Sequence, residues 1–425
     1  MKNPFSLLRR AAPRPSRLVM LAAALLAIMV GGLLTGLILV RLHSSTTARP
    51  AQPTATATLP PRPTQTPGSG VPEMLSTVHM FDTTSGWATS NYNNVLRTTD
   101  GANHWQDVTP PSIDPPQGPG NLIYDFLSPS LAWVASFVSN SLDGNDAYQG
   151  VTKFFHTTDG GQHWSQITMQ GYLPTQFIFT DSLHGWLLSD HGSNSGTENS
   201  ADVFRTIDGG ITWTKVASAG PATGDQPGAL PYSGYKMGIG AVNASTAWVT
   251  GVPANSAVNF PWLYVTHDGG ATWHPQTLSL PADTPSDLLV ITGSPIFFNP
   301  QDGILPAFFS TTANSPLMYV YVTHDGGATW QSTSIVAADY LYGPGIDFLN
   351  VNQGWASLRS LLYVTSDGGQ HWTQLPRSSA LTDLAGLSFV SNEIGWAIDL
   401  SDAGAQLFKT VDGGKTWTLI PFNHI

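Results

Sequence analysis

The string YVTHDGGATW stands twice in this chain, at 264–273 and 321–330, and it is the sharpest form of a looser pattern, T-x-D-G-x-x-[TH]-W, that recurs seven times. The aspartates of the seven copies are Asp100, Asp159, Asp208, Asp268, Asp325, Asp367 and Asp412, at intervals of 59, 49, 60, 57, 42 and 45 residues. A period of this length describes an array of small units, each unable to bury its own apolar faces and therefore stacked on its neighbours.

Each copy is preceded, in phase, by a second signature: an apolar run ending near Phe, a short polar turn, then Gly-Trp. FDTTSGWATS (81–90) and FLNVNQGWAS (348–357) show it clearly, while Ala132 and Ala247 replace the Gly in two units and Ile304 replaces the Trp in the fifth. A unit thus holds four short strand candidates at hairpin spacing. Seven four-stranded units are accommodated most economically in a radial arrangement, so the expected fold is all-β, a seven-bladed β-propeller over residues 74–425. Thirteen of the 14 tryptophans fall at the two repeat positions, leaving only Trp262 outside them. They are expected to be architectural, each burying about 150–250 Å² between sheets. In the repeat itself, D-G-G supplies residues that tolerate positive φ, and the Asp carboxylate and Thr hydroxyl can bond the turn's own backbone. The seven aspartates are therefore expected to staple turns.

T-x-D-G-G-x-T-W resembles the Asp-box, or bacterial neuraminidase repeat, of sialidase-like and sortilin-like propellers. Joined to the upstream F-x(5)-G-W-A pattern, it is most similar to the photosystem II stability and assembly factor type of WD40/YVTN/BNR-like propeller. The resemblance implies a seven-bladed ring whose Asp-boxes lie away from the binding face, and a chaperone-like hold on a membrane-protein partner. The basic patch associated with that family has no counterpart among the four arginines after residue 70, namely Arg97, Arg205, Arg359 and Arg377.

Residues 18–40 are an uncharged run of 23 residues, long enough as a helix to cross a bilayer at about 1.5 Å per residue. Residues 1–17 form a basic tail with Lys2, Arg9, Arg10, Arg14 and Arg17. The positive-inside rule places that tail in the cytoplasm and everything beyond the helix outside it, which predicts an uncleaved single-pass anchor with an extracytoplasmic propeller. Residues 41–73 read as a Pro/Thr-rich disordered linker. The chain has no cysteine, so neither disulfides nor thiolate chemistry are available. From residue 71 onward 9 basic side chains face 28 acidic ones, a net charge of −19, which excludes nucleic acid as the expected partner.

In an antiparallel blade the first-to-second and third-to-fourth turns share one face, where the repeats sit. All the long insertions emerge on the other: 106–121, 137–152, 190–202, 218–237, 251–262, 279–293 and 309–317. Variable loops over a rigid scaffold are the usual place for recognition. The candidate partner-binding residues there are Asp143, Asp146, Tyr148, Asp190, His191, Phe260 and Trp262, with Trp262, outside the repeat grammar, read either as an aromatic anchor for a partner or as packed under its own loop beside Pro261. A sialidase needs an arginine cluster to grip a carboxylate. Arg97 and Arg205 share the slot before the repeat, which leaves two arginines elsewhere and no triad. Two loop carboxylates would be enough for another glycosidase. His104, His163 and His371 alternate with Thr in one slot, so they read as turn residues and no metal or other cofactor is expected. The sequence reading is a membrane-anchored, non-catalytic binding propeller for a protein partner or surface glycan, with a carbohydrate-binding protein or glycoside hydrolase as the alternative.

Overall fold

The computed structural model describes residues 56–59, 73–113, 122–138, 150–195, 198–254, 261–281, 289–310, 317–334, 345–358, 360–401 and 404–423. Among these there is no helix, and seven antiparallel sheets built on a four-strand core follow one another along the chain. Blade 1, for example, comprises Leu75–Met80, Gly86–Ser90, Val95–Thr98 and Gln106–Asp107. Blades 2 to 7 occupy 122–170, 173–219, 235–275, 289–332, 346–374 and 384–420. In each, order in space follows order in sequence, and first strands of successive blades lie against one another. The first strands therefore surround the axis and the fourth strands form the rim. This is the seven-bladed propeller that the repeats predict.

The Gly-Trp signature has a steric reason. The Gly pairs with the last residue of the first strand, as Gly185 does with Phe179, and a Cβ at Gly185 would come within 2.7 Å of the Phe179 ring. The following Trp leaves its own blade and wedges into the next. Trp355 of blade 6 stacks on Phe389 of blade 7 with centroids 3.8 Å apart and planes 1° apart. Trp133 stacks on Phe179 at 3.7 Å, and Trp87 on Phe126 at 5.3 Å. The indole N–H then donates to a turn carbonyl of that next blade, from Trp87 to Ser128 (2.9 Å), Trp133 to Gly209 (2.9 Å) and Trp355 to Gly413 (3.1 Å). The Trp that closes each repeat completes the packing edge-on, as Trp164 does against Trp87. Trp87, Trp164, Trp186, Trp248, Trp355 and Trp396 are all fully buried. The fifth unit, with Ile304 in place of the wedge, packs instead through Val320, Val322, Val351 and Phe348.

Blade 7 is built from residues 384–420, and among the described residues the ring closes through hydrogen bonds and packing between blades 7 and 1, with no strand of one sheet entering the other. Trp396 Nε1 donates to the Gly101 carbonyl (3.3 Å), the Met80 N–H to Ser388 Oγ (2.8 Å), and the Trp105 N–H to the Asn423 carbonyl (2.8 Å). Blade 1 carries one local strain. Ala102 replaces the second repeat glycine yet holds φ at 73°, against 83–94° for the glycines of the other six. An L-residue in that region is disfavoured by about 1 kcal/mol. Ala102→Gly is therefore expected to raise stability by about 0.5–1 kcal/mol, read as a shifted urea midpoint at unchanged slope.

The Pro/Thr-rich stretch is not wholly without structure: Thr56–Leu59 adds a strand to the outer edge of blade 2, pairing with Trp164 to Gln166. The expected membrane-spanning stretch at 18–40, linker residues 41–55 and 60–72, and Asp143, Asp146, Tyr148 and Phe260 lie outside the described residues.

Candidate functional site

The seven Asp-box corners are built alike. In blade 3, Thr206 Oγ donates to Asp208 Oδ1 (2.8 Å) and accepts the Gly210 N–H (2.9 Å). The same carboxylate accepts the Thr212 N–H (2.9 Å) and Thr212 Oγ (2.6 Å). Where His replaces Thr the bond is kept, with His104, His163 and His371 placing Nδ1 2.6–2.7 Å from the carboxylates of Asp100, Asp159 and Asp367. These hydrogen bonds hold the box carboxyls below their usual range, Asp412 at about 2, against the opposing effect of burial. Each corner is tied to the turn before Gly-Trp, the Gly209 N–H donating to the Leu183 carbonyl (2.8 Å), which puts both turns on one face as expected. Each aspartate thus serves its own turn, and the seven do not converge. Asp325 lies at the surface, so water replaces part of what Asp325→Ala removes. The expected loss is about 1 kcal/mol, the ordinary worth of such bonds, read by denaturant melting with unchanged partner binding.

On the opposite face Trp262 follows the packing reading. Trp262 is 3% exposed; its Nε1 donates to the Ser233 carbonyl (3.0 Å) and its ring lies 4.7 Å from Tyr264. It packs beneath the ordered connection between blades 3 and 4 and presents no anchor to a partner. Beside it is a group that sequence reasoning missed. Lys236, fully buried, donates from Nζ to the carbonyls of Asn199 (2.9 Å), Gly234 (2.9 Å) and Tyr232. Burial pulls its pKa down to about 8, opposed by Asp225, Glu198 and Asp190. Its three donors meet three carbonyls, which makes it a clasp between blades 3 and 4.

Asp190 and His191 lie on the second strand of blade 3, Gly185–Ser195. Asp190 pairs through its backbone with Leu173 and Ala201. His191 reaches Asp202 Oδ2 (3.1 Å), which also takes Lys215 Nζ (2.9 Å), while Ser218 Oγ bonds Oδ1 (2.6 Å). His191 thus joins a blade 3 charge cluster, while the Asp190 charge acts on Lys236.

The axial channel holds the most perturbed carboxyls. Residues opposite the wedge Trp on the first strand share its face of the sheet, and in three blades that slot supplies an acceptor to the first strand of the next blade. Asp125 accepts the Phe179 N–H (2.6 Å), Asp347 that of Phe389, and Ser388 that of Met80. Gln176, further along its strand, accepts from Ile239 N–H (3.0 Å) and Ser294 Oγ (2.8 Å). Burial pushes Asp125 and Asp347 each up to about 7, against the lowering effect of the N–H each one accepts. One signal was available in the sequence, since an acid one residue before the strand-ending Phe breaks the apolar run.

A family model, the BNR/Asp-box repeat, matches residues 264–275. The chain carries this repeat on a seven-bladed propeller fold. A xyloglucanase from a Paenibacillus species is 26% identical to this propeller over 313 residues, which is 64% of the chain and 27% of the enzyme. The chain thus spans about a quarter of that relative's length. Among solved structures, the GH74 xyloglucanase of Xanthomonas campestris superposes with a TM-score of 0.52 at 13% identity, covering 82% of this chain and 54% of the enzyme. A YCF48 protein bound to a D1 peptide aligns at 16% identity over 83% of this chain and 99% of its own, with a TM-score of 0.46. Likeness at these identities speaks for the fold alone.

Proposed function

We propose that this Asp-box propeller is a membrane-tethered, extracytoplasmic, non-catalytic scaffold that recognises a protein partner through its loop face. The observation that supports the reading is where the carboxylates go. A glycosidase needs two carboxyl groups facing a substrate about 5–9.5 Å apart. In this chain the box aspartates close their own turns. Asp202 takes up Ser218 and Lys215, and Asp399 is buried, accepting the N–H groups of Thr382 and Asp383 and the Thr382 hydroxyl. A rigid ring with these described acids engaged and its insertions on one side suits recognition of a surface better than turnover.

The second reading, a carbohydrate-binding propeller or glycoside hydrolase, draws on the similarity to a xyloglucanase and on two channel carboxyls held near 7, where a general acid works well. One experiment separates them. The full chain, purified in neutral detergent, is incubated with xyloglucan and other plant and bacterial polysaccharides, and in parallel cross-linked in its native membrane. Reducing ends released by the wild type and lost in Asp125→Asn or Asp347→Asn would establish the enzyme. A specific cross-linked protein partner, displaced by substitutions at Asp190 and His191 and accompanied by no turnover, is the result expected here.

A further inference from the structure

One of the seven corners differs from the rest in a way the turn does not require. The turn residue whose carbonyl accepts the box glycine is Thr, Ser, Ser, Gln, Asn or Glu in six blades and Leu183 in blade 3. The slot before the box Asp is Thr, Thr, His, His, Ser or Val elsewhere and Ile207 here, and the third box position is Asn, Gln, Ala, Ala, Gln or Lys elsewhere and Ile211 here. Leu183, Ile207 and Ile211 are 51%, 58% and 48% exposed. Three large apolar side chains together on one corner are unfavourable in water and mark an interaction surface.

Beside them is a cleft. A cavity of about 230 Å³ opens between blades 2 and 3, lined by Trp133, Phe154, His156, Gly210, Ile211 and Trp213. One wall is His156. In blades 1 and 3 the slot before the box holds Arg97 and Arg205, which lie over the next blade's first box glycine and donate to the carbonyls of Pro129 (3.1 Å) and Ala244 (3.2 Å). His156 occupies that slot in blade 2, stacked on Trp133 at 4.7 Å. It is shorter, its buried Nε2 has no hydrogen-bond partner, and the space an arginine fills stays open. The cavity falls below the roughly 300–1,000 Å³ of sites for cofactors and drug-sized ligands, and suits one large side chain.

The rim gives the sign of the partner. Asp181 and Asp208 interleave with the three apolar residues in sequence and in the same two turns, and their hydrogen bonds hold both carboxyls ionised. Burial drives His156 down to about 4, so near neutral pH the cleft wall carries no positive charge. The globular region as a whole is at −19. We propose that the blade 3 corner and the adjoining cleft dock a cationic protein segment that inserts one large apolar side chain between blades 2 and 3. This surface lies on the box face, opposite the loops, so its failure would leave the loop-face reading standing.

The test uses dye-labelled pentapeptides KKFKK, KKAKK and EEFEE, titrated against the full chain in neutral detergent and followed by fluorescence anisotropy. KKFKK is expected to bind at least ten-fold tighter than the other two. Leu183→Ser, Ile207→Thr and Ile211→Gln combined install the residues that blade 2 carries at the same slots, so the corner should still fold, and thermal melting checks that it does. This variant should weaken KKFKK at least ten-fold. His156→Arg, which fills the cleft as in the neighbouring blades, should do the same. Leu400→Ser, at an exposed apolar residue outside the corner (48% exposed), should leave binding unchanged. Equal affinity for KKFKK and KKAKK, no effect of either corner variant, or an equal loss in Leu400→Ser would each overturn the proposal.

Discussion

Trp355→Ala is expected to lower the unfolding free energy by about 3–5 kcal/mol, the range for removing a buried indole from a packed core. Few substitutions in the ring should have a larger effect. The indole is fully buried, lies flat on Phe389 of the next blade, and donates to the Gly413 carbonyl there. Its loss leaves a cavity between two sheets, deprives Phe389 of its stacking partner, and unpairs a turn carbonyl. A ring of blades is stabilised through nearest-neighbour interfaces, so the weakened junction should open ahead of the rest. Hydrogen exchange should speed up in blades 6 and 7 before blades 2 and 3. The junction between blades 5 and 6, where Ile304 replaces the wedge, is the wild-type comparison and should be its most readily opened seam. A loss under 1 kcal/mol, or exchange that accelerates evenly around the ring, would show that the wedges do not carry the interfaces.

Stability should also fall as the pH rises from about 4 to about 7. Asp125 and Asp347 have folded-state values of about 7 against an ordinary 3.8, so between those limits these two carboxyls bind more protons in the folded chain than in the unfolded one, a gain larger than the opposite contribution of His156, which burial lowers to about 4. Stability then decreases with pH across that window and levels off above it. At about 1.4 kcal/mol per pH unit, the displacement corresponds to a ceiling of about 4 kcal/mol for each carboxyl, reduced by whatever water enters the channel. The box carboxyls act in the opposite sense. Their lowered values contribute stability that is present above about 4 and lost in stronger acid, so the maximum should lie in mild acid. Asn at either channel position keeps an oxygen for the Phe179 or Phe389 N–H and cannot ionise. Asp347→Asn and Asp125→Asn should therefore flatten the decline between pH 5 and 8, and both should melt above the wild type at pH 8. A wild-type profile that is flat or rising across this window, with Asn variants that only destabilise, would refute the assignment.

The two predictions draw on parts of the molecule that differ in how visible they are in the sequence. The wedge is local in origin. Gly is needed where the strand-ending Phe ring lies over it, the Trp follows directly, and the pair, with its substitutions at 132, 247 and 304, recurs every 41 to 62 residues, so blade count, strand order, box chemistry and the burial of 12 of the 13 repeat tryptophans, Trp372 being half-buried, follow from spacing. The face assignment also follows, because antiparallel strands alternate and the box glycine bonds the preceding turn in every unit. The placement of Trp262 did not follow. An aromatic outside the repeat could anchor a partner or cover the core, and only the ordered 218–237 connection, folded over it and clasped by Lys236, gives the answer.

The sequence by itself determined the architecture, because each blade repeats the same short-range instructions: a turn that needs glycine, a carboxylate that caps it, and an indole that must leave its own sheet to be buried. What only the tertiary structure decided are the exceptions to that repetition. Asp125 and Asp347 become near-neutral acids because packing at the junctions between first strands buries them, and the cleft beside Ile211 is walled by His156 of one blade and Gly210 and Trp213 of the next. Both depend on which side chains meet across a junction between units, and such pairings are fixed when the ring closes.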